Sequence, residues 1–145
     1  MIASSPTRDL LISLLFNMQS RMQKEMKNVG INLSPMHIKI IHILDATGLT
    51  TQKQLREIMG KDKGQIARLV TGLEKEGMIR KKTDRRDSRT THLLLTPKSR
   101  IALDQFLKIE ADVQNRLFTD FSETEIQIFN QMLVRADSYW EKSPE

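Results

Sequence analysis

Arg85, Arg86 and Arg89 lie within a five-residue window, interleaved with Asp84 and Asp87, in the run Thr83-Asp84-Arg85-Arg86-Asp87-Ser88-Arg89-Thr90-Thr91. A guanidinium is permanently charged and presents a planar fork of donors that matches phosphate and carboxylate oxygens. The run has no apolar residue and separates Met78-Ile79 from Leu93-Leu94-Leu95, so it reads as a charged loop between two strands. A second group, Lys63, Gln65, Arg68 and Thr71, lies just upstream. Glutamine can pair with an adenine edge and arginine with a guanine edge. Other chemistry has little material. Cysteine is absent, which excludes thiolate nucleophiles, thiolate zinc sites and disulfides. His37 and His42 are five apart and do not share a helix face, and His92 stands alone near the loop. Neither an H-E-x-x-H pair nor a phosphate-cradling glycine loop is present. No catalytic residue, metal or cofactor is therefore expected.

The arginines belong to a basic middle. Residues 61–100 carry twelve Lys/Arg against five Asp/Glu, a local charge of +7, while the chain as a whole is +5. All the excess positive charge thus sits in one stretch, which suggests an anionic partner, nucleic acid being the commonest. A solvated basic surface is the plain alternative. The 145 residues make one domain-sized chain with ordinary apolar (39%) and charged (28%) content. The apolar run from Leu10 to Phe16 is too short to span a bilayer and has no basic lead, so neither a membrane anchor nor a signal peptide is expected, and the absence of cysteine fits the cytoplasm.

The elements that must position these groups follow from periodicity and caps. Leu11, Leu15, Met18, Met22, Met26 and Val29 recur at three and four over a long helix from Arg8 to Val29. So narrow a stripe packs either within its own subunit or on a partner helix. Ser34-Pro35 opens a second helix, and Thr50 or Thr51 caps a third that closes at Gly60. Asp62, with Gln65 three residues on, resembles a capping box for the helix to Glu76. Ile66, Leu69, Val70 and Leu73 occupy one side of that helix at ~100° per residue. The other side holds Gly64, Gln65, Arg68, Thr71, Gly72 and Lys75. Residues 78–83 and 90–95 read as a β-hairpin. Thr96-Pro97 opens a long helix carrying Ile101, Leu103, Phe106, Leu107, Val113 and Leu117. Ser122-x-x-Glu125 opens the last, with Ile126, Phe129, Leu133, Ala136 and Trp140. The expected fold is mainly α with a small β-hairpin: a winged helix-turn-helix flanked by amphipathic helices.

In this arrangement the helix from Asp62 to Glu76 suits the major groove of double-stranded DNA, with Lys63, Gln65, Arg68 and Thr71 toward the bases. The wing arginines Arg85, Arg86 and Arg89 suit the adjacent minor groove. Asp84 and Asp87 would orient the wing by gripping guanidiniums in planar pairs. Gly64 and Gly72 each cost about 1 kcal/mol of helix propensity, which a close backbone approach to DNA could offset; a tolerated local weakness is the plainer account.

Asp84-Arg85-Arg86-Asp87-Ser88-Arg89 resembles the D-x-R-D-x-R wing signature of the MarR family of bacterial transcriptional regulators. Leu33-Ser34-Pro35, Ile66-Ala67-Arg68-Leu69-Val70, the run Leu73 to Ile79 and Leu95-Thr96-Pro97 agree with it. The resemblance implies a homodimer, with residues 1–32 and 97–145 forming a helical dimerisation region and 33–96 the DNA-binding region. It further implies repression at a palindromic operator, although the residues themselves leave repression and activation open. It makes Arg89 the minor-groove arginine and Asp87 its partner. Many relatives release DNA when a small aromatic or lipophilic effector binds between the two regions. Glycines 64 and 72 depart from the polar residues commoner in such recognition helices. The competing function is a winged-helix protein–protein interaction module that does not read DNA sequence.

Overall fold

The computed structural model describes residues 5–141, except for the side chains of 140 and 141. It contains α1 (Pro6–Asn28), α2 (Pro35–Thr47), β1 (Thr50–Thr51), α3 (Gln52–Met59), α4 (Lys63–Lys75), β2 (Ile79–Thr83), β3 (Thr91–Leu95), α5 (Pro97–Leu117) and α6 (Glu123–Glu141). Two compact units result, one up to Glu110 and one from Ala111 onward.

Helix starts follow the expected caps. Ser34 Oγ accepts the His37 amide at 3.3 Å, Thr51 Oγ1 that of Gln54 at 3.2 Å, and Asp62 Oδ1 that of Gln65 at 2.8 Å. At α2 the reciprocal bond comes from an unexpected residue: Nδ1 of His37 accepts the Ser34 amide at 3.2 Å. At α4 only the forward half of the box forms, so the Gln65 side chain remains exposed rather than folded back onto Asp62. The end of α4 is a Schellman turn. Gly77, at φ +70, lets its amide reach the Glu74 carbonyl (3.0 Å) while the Met78 amide reaches Leu73 (2.8 Å).

The β-hairpin gains a third strand, giving the order β1-β3-β2 with both pairings antiparallel. Thr50 lies opposite Leu93 and Thr51 opposite His92, while Ile79 faces Leu95 and Thr83 faces Thr91 on the other edge. Two residues are too few to show alternation, so β1 was not visible in the sequence; Thr51 both pairs with β3 and caps α3.

The first unit closes over Ile40, Ile41, Leu44, Leu55, Ile66, Val70, Leu73 and Leu93, each 1% exposed or less. Ile66, Val70 and Leu73 are the predicted apolar side of α4, and on its opposite side Gln65, Arg68 and Thr71 face outward while Gly72 is half-buried. The α1 stripe behaves differently. Met26 is buried and Met18 and Met22 are half-buried, but Leu11, Leu15 and Val29 remain exposed, with Leu10, Ile12 and Phe16 beside them. In the second unit, Phe118 packs edge-on against Phe121 and Phe129, at 5.5 and 5.9 Å between ring centroids. A Ser122–Glu125 capping box starts α6 there. No helix among the described residues is long and apolar enough to cross a membrane.

Candidate nucleic-acid interface

Lys63, Gln65, Arg68 and Thr71 are all exposed on the outer side of α4. Lys61, Gln65 and Arg68 border a shallow hollow whose far wall is Met36 and His37, at the start of α2. The helix is held at its far end by three contacts. Lys98 Nζ donates to the Glu76 carbonyl at 2.7 Å, Thr96 Oγ1 donates to the Gly77 carbonyl at 2.6 Å, and Lys81 Nζ meets Glu74 Oε2 at 3.1 Å. The outer side of α4 is thus a fixed surface backed by core, carrying basic and amide groups.

Gly72 has a reason that lies inside the protein. A Cβ built there would sit 3.0 Å from Nε2 of His37, so glycine is what lets α4 approach α2 this closely. Gly72 therefore has a packing account beside a close approach to DNA and a tolerated local weakness. Gly64 is exposed, and a Cβ there would meet nothing nearer than Asp62 Oδ1 at 3.4 Å. His37 is held by Ser34 through Nδ1, and its Nε2 lies where a Cβ at position 72 would crowd it. Burial lowers its pKa below the ordinary histidine value, with Glu76 acting in the opposite direction.

In the wing, Asp84 and Asp87 do not grip guanidiniums as expected. Asp84 Oδ1 accepts the amides of Arg86 (2.7 Å) and Asp87 (3.2 Å). Asp87 Oδ1 accepts the Arg89 amide (3.0 Å), and its Oδ2 accepts the Thr90 hydroxyl (2.8 Å). Among the described residues no ion pair joins either carboxylate to Arg85, Arg86 or Arg89. The physical reason is reach: in a tight turn a short aspartate finds amides two and three residues on before it finds the end of a long side chain. The carboxylates therefore shape the loop's backbone and leave all three guanidiniums exposed.

From the sequence, His92 stands alone near the loop. It lies on β3, and its Nε2 is 3.1 Å from Asp84 Oδ2. An ionised carboxylate can only accept, so Nε2 is the donor of this pair, while Nδ1 is buried without a partner among the described residues. Hydrogen bonds from the Arg86 amide, the His92 ring and the Asp87 amide hold the Asp84 carboxyl below the usual carboxylate range. The signal that could have found this pair was the eight-residue separation of Asp84 and His92 across a short hairpin, which returns His92 to the level of the loop's base.

Among the described residues no group of His, Cys, Asp or Glu is placed to hold a metal ion.

Residues 31–90 match the sequence profile of the MarR family. An uncharacterized HTH-type transcriptional regulator of Bacillus cereus is 32% identical over 93 residues, which is 63% of this chain and 61% of that protein. The chain therefore spans about three fifths of that relative's length. A crystal structure of MarR superposes with a TM-score of 0.76 and 25% identity, covering 98% of this chain and 95% of its own. A mutant MarR from E. coli complexed with operator DNA superposes with a TM-score of 0.73 and 14% identity, covering 90% and 93%. That last likeness is one of fold.

Proposed function

We propose that this chain, a member of the MarR family of transcriptional regulators by its residues 31–90 and by its fold, binds double-stranded DNA in a sequence-specific manner as a homodimer on a palindromic operator. The observation that carries this reading is the wing. Its backbone is fixed by Asp84 and Asp87, while Arg85, Arg86 and Arg89 are exposed and form no ion pair among the described residues. Guanidiniums spared from internal pairing on an ordered loop can meet phosphates and a narrow minor groove without first breaking a salt bridge. Beside them, α4 offers Lys63 to phosphate, Gln65 and Arg68 to base edges, and Thr71 to either. The operator complex of the E. coli relative supports this assignment by analogy of fold.

Residues 1–32 and 97–145 supply the dimerisation region in this reading. The uncovered apolar residues of α1 and of α6 support it, since a soluble monomer rarely leaves so much unpaired. The dimer acts as a repressor and is released by a small aromatic or lipophilic effector. A cavity of about 220 Å³ between α1, the start of α2 and Phe106 supports the effector.

The deciding experiment measures binding to tiled fragments from upstream of the chain's own gene, at low and moderate salt, for wild type and Arg89→Ala. A wing-dependent regulator binds one palindromic fragment tightly, with affinity falling steeply as salt rises, and loses at least ~1 kcal/mol in the variant. Equal, weak binding to every fragment, untouched by Arg89→Ala, would remove the wing from the interface.

A further inference from the structure

We propose that the cavity beside α1 is selective for small aromatic cations, an aryl ring carrying a quaternary or protonated amine, over neutral or anionic aromatics. This deepens the effector reading above and rests on it.

Three observations converge. First, the volume is about 220 Å³. A cavity of about 150 Å³ takes benzene, so this one fits one ring with a short substituent. Second, the walls are soft and apolar. Met18, Met22 and Met26, spaced four residues apart on one face of α1, line it together with Phe106 and Ile38. Thioethers adapt to the shape of a ring and are polarised by it, and an aromatic face attracts a cation.

Third, the charge at the rim has one sign. Glu110 is the one ionisable residue lining the cavity, is exposed, and has no ion-pair partner among the described residues. The remaining polar lining is Gln19 and Gln23, and no lysine, arginine or histidine reaches it. A carboxylate or phenolate ligand would bring its charge to Glu110 with nothing to offset it. An ammonium would find its counter-charge in Glu110, and Phe106 is the aromatic residue of the lining. The chain as a whole is +5, so its overall field favours anions. A preference for cations would therefore have to arise in the cavity itself.

The test uses three ligands of matched shape at pH 7.5: benzyltrimethylammonium, its neutral isostere neopentylbenzene, and 3-phenylpropanoate. Each is titrated into the full chain labelled with ¹³C-methyl methionine. The readouts are the methyl shifts of Met18, Met22 and Met26 and the Kd derived from them, in wild type and Glu110→Gln. Glu110 is exposed, so the isosteric change leaves folding intact. We expect the cation to bind about threefold to tenfold more tightly than its neutral isostere, the anion to bind weakest, and Glu110→Gln to narrow the gap between cation and neutral ligand. Equal binding of cation and neutral ligand, tighter binding of the anion, a cation preference undiminished by Glu110→Gln, or shifts confined to other methionines would each overturn the proposal. Operator affinity is measured on the same samples without ligand. Loss of the DNA-binding reading there leaves the methyl result standing, and failure of the methyl result leaves the operator result standing.

Discussion

Asp84 holds two backbone amides and one imidazole at once, and each partner has a consequence for the wing. Removing the carboxylate in Asp84→Ala frees the amides of Arg86 and Asp87 and leaves His92 without an acceptor. A net hydrogen bond is worth about 1 kcal/mol. The wing should then spend less time in its ordered shape, and operator affinity should fall about fivefold to tenfold with helix content unchanged. Asp84→Asn, which keeps an acceptor oxygen, should lose less. Fluorescence anisotropy with circular dichroism on the same samples decides it; an Asp84→Ala protein that binds like wild type would mean that the arginines do not need a fixed loop. The aspartates were legible in the sequence as parts of a signature, but their hold was not. Residue types suggested a grip on guanidinium, whereas the geometry of a tight turn favours the nearer amides. His37 was less legible still. Nothing in its spacing distinguishes a cap from a surface histidine, because the residue that ordinarily closes a capping box at this position is Glu or Gln. Its pKa gives a prediction with a definite sign. An unfolded histidine titrates near ~6.5, and burial lowers the folded value. As pH falls through 6.5 the unfolded chain takes up a proton that the native ring resists, so stability drops through that window and below. Thermal unfolding between pH 7.5 and 5 should show this fall in wild type. The fall should be shallower in His37→Gln, whose amide oxygen can still accept the Ser34 amide. Identical slopes would place the proton uptake elsewhere.

The six helices were legible in order because each announces itself with a cap, a proline or an apolar repeat of three and four, and these local terms agree with the packing. The strand β1 was not legible, because its pairing partner lies some forty residues away and two threonines carry no pattern. Gly64 and Gly72 show why sequence alone misjudges an element's interior. They sit in the same helix with the same intrinsic cost and ordinary helical backbone, yet only one has a neighbour in the way. Gly64→Ala should therefore recover most of the propensity term, raising stability by about 0.5–1 kcal/mol. Gly72→Ala gains the same term but drives a methyl to 3.0 Å from the His37 ring, which Ser34 holds in place. Overpacking typically costs about 1–3 kcal/mol, so the net change should be destabilising. Chemical denaturation of the two variants side by side tests this. If both were stabilised, α2 and α4 would have room to separate and His37 would not be fixing their spacing.

Periodicity shows that a stripe must be covered without showing which chain covers it, and at the scale of the whole molecule this leaves assembly as the least legible property. The structure sharpens the question on α1. The first residues of the stripe, Leu11 and Leu15, are uncovered, the latter 58% exposed, with Phe16 beside them 69% exposed, while Met26 closes onto the core and Val29 beyond it is exposed again. If a second copy covers the exposed start of the stripe, the double change Leu15→Glu and Phe16→Glu should cost little in the fold of one subunit, because neither side chain is buried there. It should cost much in assembly, because four carboxylates would then enter one apolar seam. Sedimentation should show dimer giving way to monomer, with helix content close to that of wild type. Operator binding should respond more steeply than for any single wing change. Two linked lobes gain about 10²-fold or more over one by effective concentration, so the monomer should lose at least that much on a palindrome and far less on an isolated half-site. A charged variant that remains dimeric would place the seam elsewhere on the molecule, with the exposed residues of α6, Met132 and Val134 among them, as the next to change. A variant that is monomeric yet binds the palindrome undiminished would instead show that each lobe reads its half-site alone, and that the apolar surface of α1 serves a purpose other than bringing two lobes to one operator.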